Sequence, residues 1–125
     1  MLDKYFVHWD RAKKLKALKF KEECFGSYAD VEVSTPILVK RIISDDQGGY
    51  FTLAPTFEQI FDWFREKYNS SSFVKRDFKD AKLKGYYYGI EDTTEDFYSK
   101  TFKTFEEAQL ACLDKLIEIC EKSVS

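Results

Sequence analysis

The sequence has little of the chemistry on which most catalytic sites depend. His8 is the only histidine among 125 residues, which excludes Ser-His-Asp triads and zinc sites built on histidines. Of the five glycines only Gly48 and Gly49 are adjacent, and because no lysine and helix follow them, a phosphate-binding loop is excluded. The chain is therefore not expected to be an enzyme, and the sequence predicts no cofactor and no metal site.

Cysteines and long apolar runs are also scarce. Cys24, Cys112 and Cys120 are an odd number without a paired spacing. Cys112 and Cys120 lie roughly 12 Å apart along one predicted helix, too far for a disulfide. No signal-peptide pattern is visible at the start, and no stretch approaches the ~20 apolar residues that a membrane span needs. These absences predict a protein of the reducing cytoplasm with no membrane partner.

Aromatic residues, in contrast, are abundant. They form 18% of a chain that is 44% hydrophobic and 34% charged, a composition typical of one globular domain over residues 1–125. The favoured interpretation is a core rich in rings, and the alternative is an aromatic binding surface. The net charge of −2 is unevenly spread, since residues 1–21 carry +5 (seven basic, two acidic) and residues 91–125 carry −5 (four basic, nine acidic). We interpret this asymmetry as two solvated ends that attract each other, in preference to a nucleic-acid-binding face.

The segment 56–68 has the strongest helical pattern. Thr56 and Gln59 have the spacing of a capping box at its start. Trp63 lies at the edge of the apolar stripe, so we expect it to be only partly covered. The stripe itself repeats at i, i+3, i+4, i+7 and i+11 and is predicted to be core: Phe57, Ile60, Phe61, Phe64 and Tyr68.

Two further helices are predicted, over residues 9–19 and 105–122. The first is short and has a coat of lysines, Lys13, Lys14 and Lys16. The second has an apolar arc of about 180°, wider than one contact surface needs. Its excess strip must be covered either by the first helix, which would leave a monomer and is slightly favoured, or by a second copy in a homodimer. The strip consists of Leu110, Leu113 and Ile117.

The strand predictions complete an α+β fold. Residues 20–28 are interpreted as a connection, and residues 44–49 as the turn of a hairpin. The fold is predicted to be a single domain in the order α-β-β-α-β-β-(β)-α, a mainly antiparallel sheet with the helices of residues 56–68 and 104–122 on one face. The predicted strands cover residues 31–33, 37–43, 50–53, 73–78, 83–91 and, as the optional one, 97–102.

The run from Lys84 to Ile90 contains three tyrosines between two glycines. In a strand Tyr86, Tyr88 and Ile90 face one way, so Tyr87 stands on the other face between positions without side chains. Its ring is then either covered by a neighbouring aromatic, as glycines in sheets usually are, or open for stacking on a base or a partner. The covered arrangement is favoured.

Three blocks resemble segments of small proteins from anaerobic gut bacteria and their phages. The resemblance implies a setting in a prophage or mobile element, and it implies no activity because none is assigned to that group. Where those proteins often carry glycine after the first helix, this chain has Lys19, so the sequence does not determine at which residue that helix ends. The blocks are residues 54–68 (APTFEQIFDWFREKY), 102–108 with 111–119 (FKTFEEA and ACLDKLIEI), and 12–16 with 24–26 (AKKLK and CFG).

These observations predict a non-enzymatic protein-interaction or regulatory module with a protein partner. The first alternative is a nucleic-acid-binding module that uses the basic first helix and the Tyr-rich strand, although the net charge of −2 is unlike that of most such domains. The second alternative is a small-molecule binder. The candidate surface residues are Lys13, Lys14, Lys16, Trp63, Arg76, Tyr87, Leu110, Leu113 and Ile117.

Overall fold

The computed structural model describes residues 2–29, 38–43, 51–92 and 96–123. Over these ranges three α-helices and two antiparallel sheets of three strands form the predicted α+β fold. No helix in the described ranges is long and apolar enough to cross a bilayer. The elements in chain order are α1 (Trp9–Ala17), β1 (Cys24–Ala29), β2 (Leu38–Ile43), β3 (Phe51–Leu53), α2 (Phe57–Tyr68), β4 (Ser71–Lys79), β5 (Lys82–Glu91), β6 (Asp96–Tyr98) and α3 (Phe105–Ser123).

The chain divides into two compact units, Met1–Ile60 and Phe61–Ser125. Each unit contains one of the sheets, so the predicted single sheet is divided into two. That residues 1–125 form one domain stays a prediction.

The sheet of the first unit is organised around β1, in the order β2-β1-β3. Residues 20–28 are therefore not a plain connection, since β1 begins at Cys24. The strand was missed because Cys24, Gly26 and Ser27 lack the β-branched or aromatic side chains on which a sequence-based prediction of strand depends. In the structure the ring of Phe6 lies where a side chain at position 26 would stand, and this packing compensates for the glycine.

The predicted hairpin between residues 37–43 and 50–53 is also corrected. β1 lies between those two strands, with Ser27 opposite Val39 on one side and opposite Leu53 on the other. Among the described strands, β2 is consequently at the edge of the sheet, whereas its apolar residues predicted an interior strand. The predicted strand 31–33 and the predicted turn 44–49 lie outside the described residues.

Helix α1 packs against β3 in the first unit and buries Ala12 and Leu15. It ends at Ala17, earlier than predicted, and Lys19 takes the left-handed conformation (φ 72°) that glycine usually adopts after a helix. His8 occupies the N-cap position but makes no capping hydrogen bond through its side chain.

The sheet of the second unit has the order β4-β5-β6, and α3 packs against β5 and β4. Thr104 caps α3, because its hydroxyl accepts a hydrogen bond from the Glu107 amide at 3.1 Å. The predicted alternation on β5 is confirmed on the helix-facing side, where Tyr88 and Ile90 are buried and Tyr86 meets the Phe105 ring of α3 at 6.0 Å. The opposite face of this sheet is called the outer face below.

Helix α2 confirms the predicted cap and corrects the predicted stripe. The Gln59 amide donates to the Thr56 hydroxyl at 3.2 Å, whereas the Gln59 side chain donates to the Glu23 carbonyl and does not return the capping bond. Trp63 is only 7% exposed, while Phe61 is half-buried. The buried stripe is thus rotated toward Trp63, whose ring makes edge contacts with Phe64 and Tyr68 at 5.1 and 5.5 Å.

Candidate functional site

The distal part of the β4–β5 hairpin forms an arm, defined here as residues 75–84. The two strands are joined at Asp80 and Ala81, both with positive φ (53° and 63°), as a two-residue hairpin turn with strand-like twist requires. The register shifts between Asp77 and Phe78, because Asp77 lies opposite Gly85 and Phe78 opposite Leu83. Lys84 is therefore the extra residue of a β-bulge. The bulge bends the strand and increases its twist next to the tight turn.

The helix-facing side of the arm carries an exposed apolar pair. Phe78 and Leu83 are directly opposite each other and are 55% and 50% exposed. Beside them the guanidinium of Arg76 lies 5.7 Å from the centre of the Phe78 ring, a cation–π contact. Exposed apolar side chains grouped beside an arginine are characteristic of binding surfaces, where aromatic residues and arginine are enriched.

The arm is strongly basic although the whole chain is not. Its ten residues include five basic and two acidic ones, a local charge of +3 against −2 for the whole chain. One acid is engaged within the fold, since the Thr101 hydroxyl donates a hydrogen bond to the Asp77 carboxylate. The arm is consequently basic overall, but its charges are divided between two faces. Arg76 lies beside the apolar pair, whereas Lys75 lies over Phe73 on the outer face, to which Lys79 and Lys82 also point. Its basic residues are Lys75, Arg76, Lys79, Lys82 and Lys84.

The outer face of the same sheet carries a separate aromatic cluster of Phe73, Tyr87 and Tyr98. The Phe73 ring meets Tyr87 edge-on at 6.0 Å and Tyr98 at 6.2 Å. It also fills the space above Gly89, so the predicted cover of a sheet glycine by a neighbouring ring is found there. The Lys75 ammonium lies 4.6 Å above Phe73. Tyr87 is therefore half-buried within a packed cluster and does not stand as an open stacking platform.

Arg76 and Tyr87 do not belong to one surface. Arg76 pairs with Tyr86 and shares its helix-facing side, whereas Tyr87 points to the outer face. In the first unit Lys13, Lys14 and Lys16 are exposed on α1, and the Lys13 ammonium lies 4.4 Å from the Trp9 ring centre. Arg76 and Tyr87 therefore cannot act together in one nucleic-acid-binding surface, as the nucleic-acid alternative predicted.

The predicted strip on α3 is largely inside the protein. Leu113 and Ile117 are fully buried within the chain, and Leu110 is half-buried. Trp63, another candidate surface residue, is buried as well. These side chains belong to the core, so the strip does not call for a second copy to cover it.

The three cysteine thiols are buried, which makes them poorly reactive near neutral pH. Burial raises the pKa of Cys24, Cys112 and Cys120 from the ordinary value of a thiol to about 12. Since the thiolate is the nucleophile and the metal-binding form, none of the three is poised to react near neutral pH. Among the described residues no group of three histidine, cysteine or acidic side chains is arranged to hold a metal ion.

We expect the native protein to resist a thiol reagent such as DTNB at pH 8, because burial both shields the sulfur atoms and keeps them protonated. The same sample in denaturant should titrate all three thiols quickly. Rapid modification of even one thiol in the folded protein, as judged by circular dichroism before and after, would contradict the buried positions.

Comparison of the chain with protein-family models, with curated proteins and with solved structures found no match.

Phe78 and Leu83 are the site residues that sequence reasoning missed. Both were assigned to strands, where apolar side chains are normally taken as buried. The available signal was the charged turn between them, Lys79-Asp80-Ala81-Lys82, which places both residues next to a hairpin end. Their exposure depends on where α3 stops covering the sheet, and the sequence does not show that distance.

Proposed function

We propose that this protein is a non-enzymatic protein-interaction or regulatory module that binds a protein partner through the β4–β5 arm. The observation that carries the proposal is the cross-strand pair of Phe78 and Leu83, each at least half exposed at the end of a well-formed hairpin. Burying such a pair against a partner gains about 25 cal/mol for each Å² of apolar surface removed from water. Arg76, stacked on Phe78, adds a side-chain type that is enriched at energetic hot spots of interfaces.

The same proposal includes a monomer in the cytoplasm, in a prophage or mobile-element setting. Burial of Leu113 and Ile117 supports the monomer, because it removes the main reason for a dimer through α3. The unpaired cysteine pattern supports a reducing compartment. The resemblance of residues 54–68 to proteins of gut bacteria and their phages supports the genetic setting.

To test the module, the full-length protein is used as bait in the cells that express it, with cross-linking before purification. Phe78→Ser combined with Leu83→Ser should weaken recovery of a stoichiometric protein partner roughly 30-fold, since truncating hot-spot residues costs about 2 kcal/mol or more. Both residues are mostly solvent-exposed, so the double variant should lose no more than about 1 kcal/mol of stability.

Tyr98→Ser is the matched control. Tyr98 is 57% exposed in the same unit but lies on the outer face and outside the arm. It should retain the partner. A partner that the double variant holds as well as the wild-type protein, or one lost equally with Tyr98→Ser, would refute binding through the arm.

A further inference from the structure

We infer that the partner binds as an added β-strand, with an extended segment hydrogen-bonded along the free edge of β4, the edge that does not face β5. This inference rests on the proposed function and specifies how the arm holds its partner. β4 lies at one end of the order β4-β5-β6, so in the described part of the chain no strand pairs with its free edge. Such an edge is a template for an extended segment of another protein.

The hydrogen bonds of β5 show which main-chain groups of β4 point to the free edge. The Tyr86 amide and carbonyl both bond to Phe102, and the Tyr88 carbonyl accepts from the Ser99 amide at 2.9 Å. Tyr86 and Tyr88 therefore direct their main chain away from β4. Because this direction alternates along an antiparallel ladder, the residues of β5 between and beside them bond to β4.

Four residues of β4 consequently direct their main chain outward. Phe73 and Lys75, opposite Gly89 and Tyr87, bond to β5, and the residues that alternate with them do not. None of the four is proline, so each offers one donor and one acceptor, and among the described residues none of these groups has a hydrogen-bond partner. They span about 20 Å, the length of an ordinary strand. The outward residues are Ser72, Val74, Arg76 and Phe78.

The same strand brings apolar side chains to this edge. Val74 lies opposite the buried Tyr88, so Val74 and Phe78 share the helix-facing side of β4, the first half-buried and the second exposed. A strand added beside β4 would place two of its own side chains next to them, four residues apart. The partner segment is therefore expected to have large apolar residues at positions i and i+4, with no proline at the positions that bond to β4.

A second copy of β4 is a poorer occupant of the edge. The antiparallel register that overlaps the whole strand, Ser71–Lys79, places the two copies of Lys75 opposite each other, and like charges so opposed are destabilising. A register centred on Arg76 opposes two guanidinium groups, and one centred on Val74 pairs only residues 71–77. Charged side chains on an edge are a common protection against pairing of identical edges. The strand therefore favours a segment of a different protein.

The test begins with a selection of displayed random peptides of about 12 residues on the immobilised full-length protein, with counter-selection on the Phe78→Ser/Leu83→Ser variant. When a selected peptide saturates the protein, hydrogen exchange at the Val74 and Arg76 amides should slow at least tenfold, because each amide gains an acceptor. The Lys75 amide, already bonded to β5, should change much less. Unchanged exchange at Val74 and Arg76 would overturn the inference.

Arg76→Pro and Arg76→Thr form a matched pair on the edge. Both remove the guanidinium, but only proline removes an outward N–H, and an edge strand tolerates proline at such a position. Arg76→Pro should weaken the selected peptides at least tenfold more than Arg76→Thr does. Equal affinities for the two folded variants would overturn the inference.

N-methylated peptides repeat the test without altering the protein. Along an added strand, alternate amides face β4 and the intervening ones face away. Methylation of one alternating set of amides should therefore abolish binding, whereas methylation of the other set should preserve it. Equal effects of the two sets would contradict an added strand.

The remaining outcomes separate the inference from the proposed function. Peptides that need Phe78 and Leu83 but bind Arg76→Pro as well as Arg76→Thr would overturn the added strand and leave the interaction module standing. A dimer of the unaltered protein in light scattering, converted to a monomer by Arg76→Pro, would show that a second copy covers the edge and would also overturn the inference. A failure of the folded protein to enrich any arm-dependent peptide would overturn both.

Discussion

Replacing Trp63 with alanine is expected to lower the free energy of unfolding by about 3–5 kcal/mol, the cost of truncating a buried tryptophan. Its ring is 7% exposed and makes edge contacts with Phe64 and Tyr68, which also contact each other at 5.9 Å. Removing the indole therefore opens a cavity in a cluster of three rings, and the two remaining rings lose favourable aromatic geometry.

Phe61→Ala is the control on the same helix. Phe61 is half-buried, so less apolar surface and fewer contacts are lost, and we expect about half the cost of Trp63→Ala. Urea denaturation followed by far-ultraviolet circular dichroism measures both without depending on tryptophan fluorescence. A larger loss for Phe61→Ala than for Trp63→Ala would restore the stripe inferred from periodicity and contradict the observed rotation of α2.

The helices were predictable because their signals are local. The capping threonines Thr56 and Thr104, three residues before Gln59 and Glu107, place the starts of α2 and α3 correctly. The face of α2 was predicted less well. Periodicity assigns each residue an angle around the helix, but the width of the buried arc depends on what packs there, and aromatic contacts bring Trp63 inside it.

The strands were only partly predictable, because their formation depends on contacts between residues that are distant in the sequence. β5 was recognised from its tyrosines, and the alternation that buries Tyr88 and Ile90 followed from a period of two. β1 was missed because its formation depends on partners on both sides and on the packing of Phe6 over Gly26. The candidate site was predicted only through Arg76, since exposure of Phe78 and Leu83 is set by the extent of α3 over the sheet.

Replacing Gly85 with alanine is expected to destabilise the second unit by about 3 kcal/mol or more, combining strained backbone with lost hydrogen bonds. Gly85 has a φ of 152°, which side-chain-bearing residues rarely adopt, and a Cβ there would overlap the carbonyl oxygen of Phe102. That carbonyl accepts from the Tyr86 amide at 2.8 Å, and the Phe102 amide donates back to the Tyr86 carbonyl at 2.6 Å. Because Gly85 has no side chain, the segment before α3 can approach β5 closely enough to pair with Tyr86, next to the arm.

Gly89→Ala separates this effect from a general intolerance of side chains on β5. A Cβ at position 89 would meet the tip of the Phe73 ring, which can rotate away, whereas the obstacle at position 85 is main chain. We therefore expect Gly89→Ala to cost less in urea denaturation and to leave hydrogen exchange at the Phe102 amide slow. Gly85→Ala should speed that exchange, because the bridge between Tyr86 and Phe102 opens first. Equal stability losses with unchanged exchange at Phe102 would mean that Gly85 does not hold this contact. The start of α3 would then be held against β5 by other contacts, such as that between the Tyr86 and Phe105 rings.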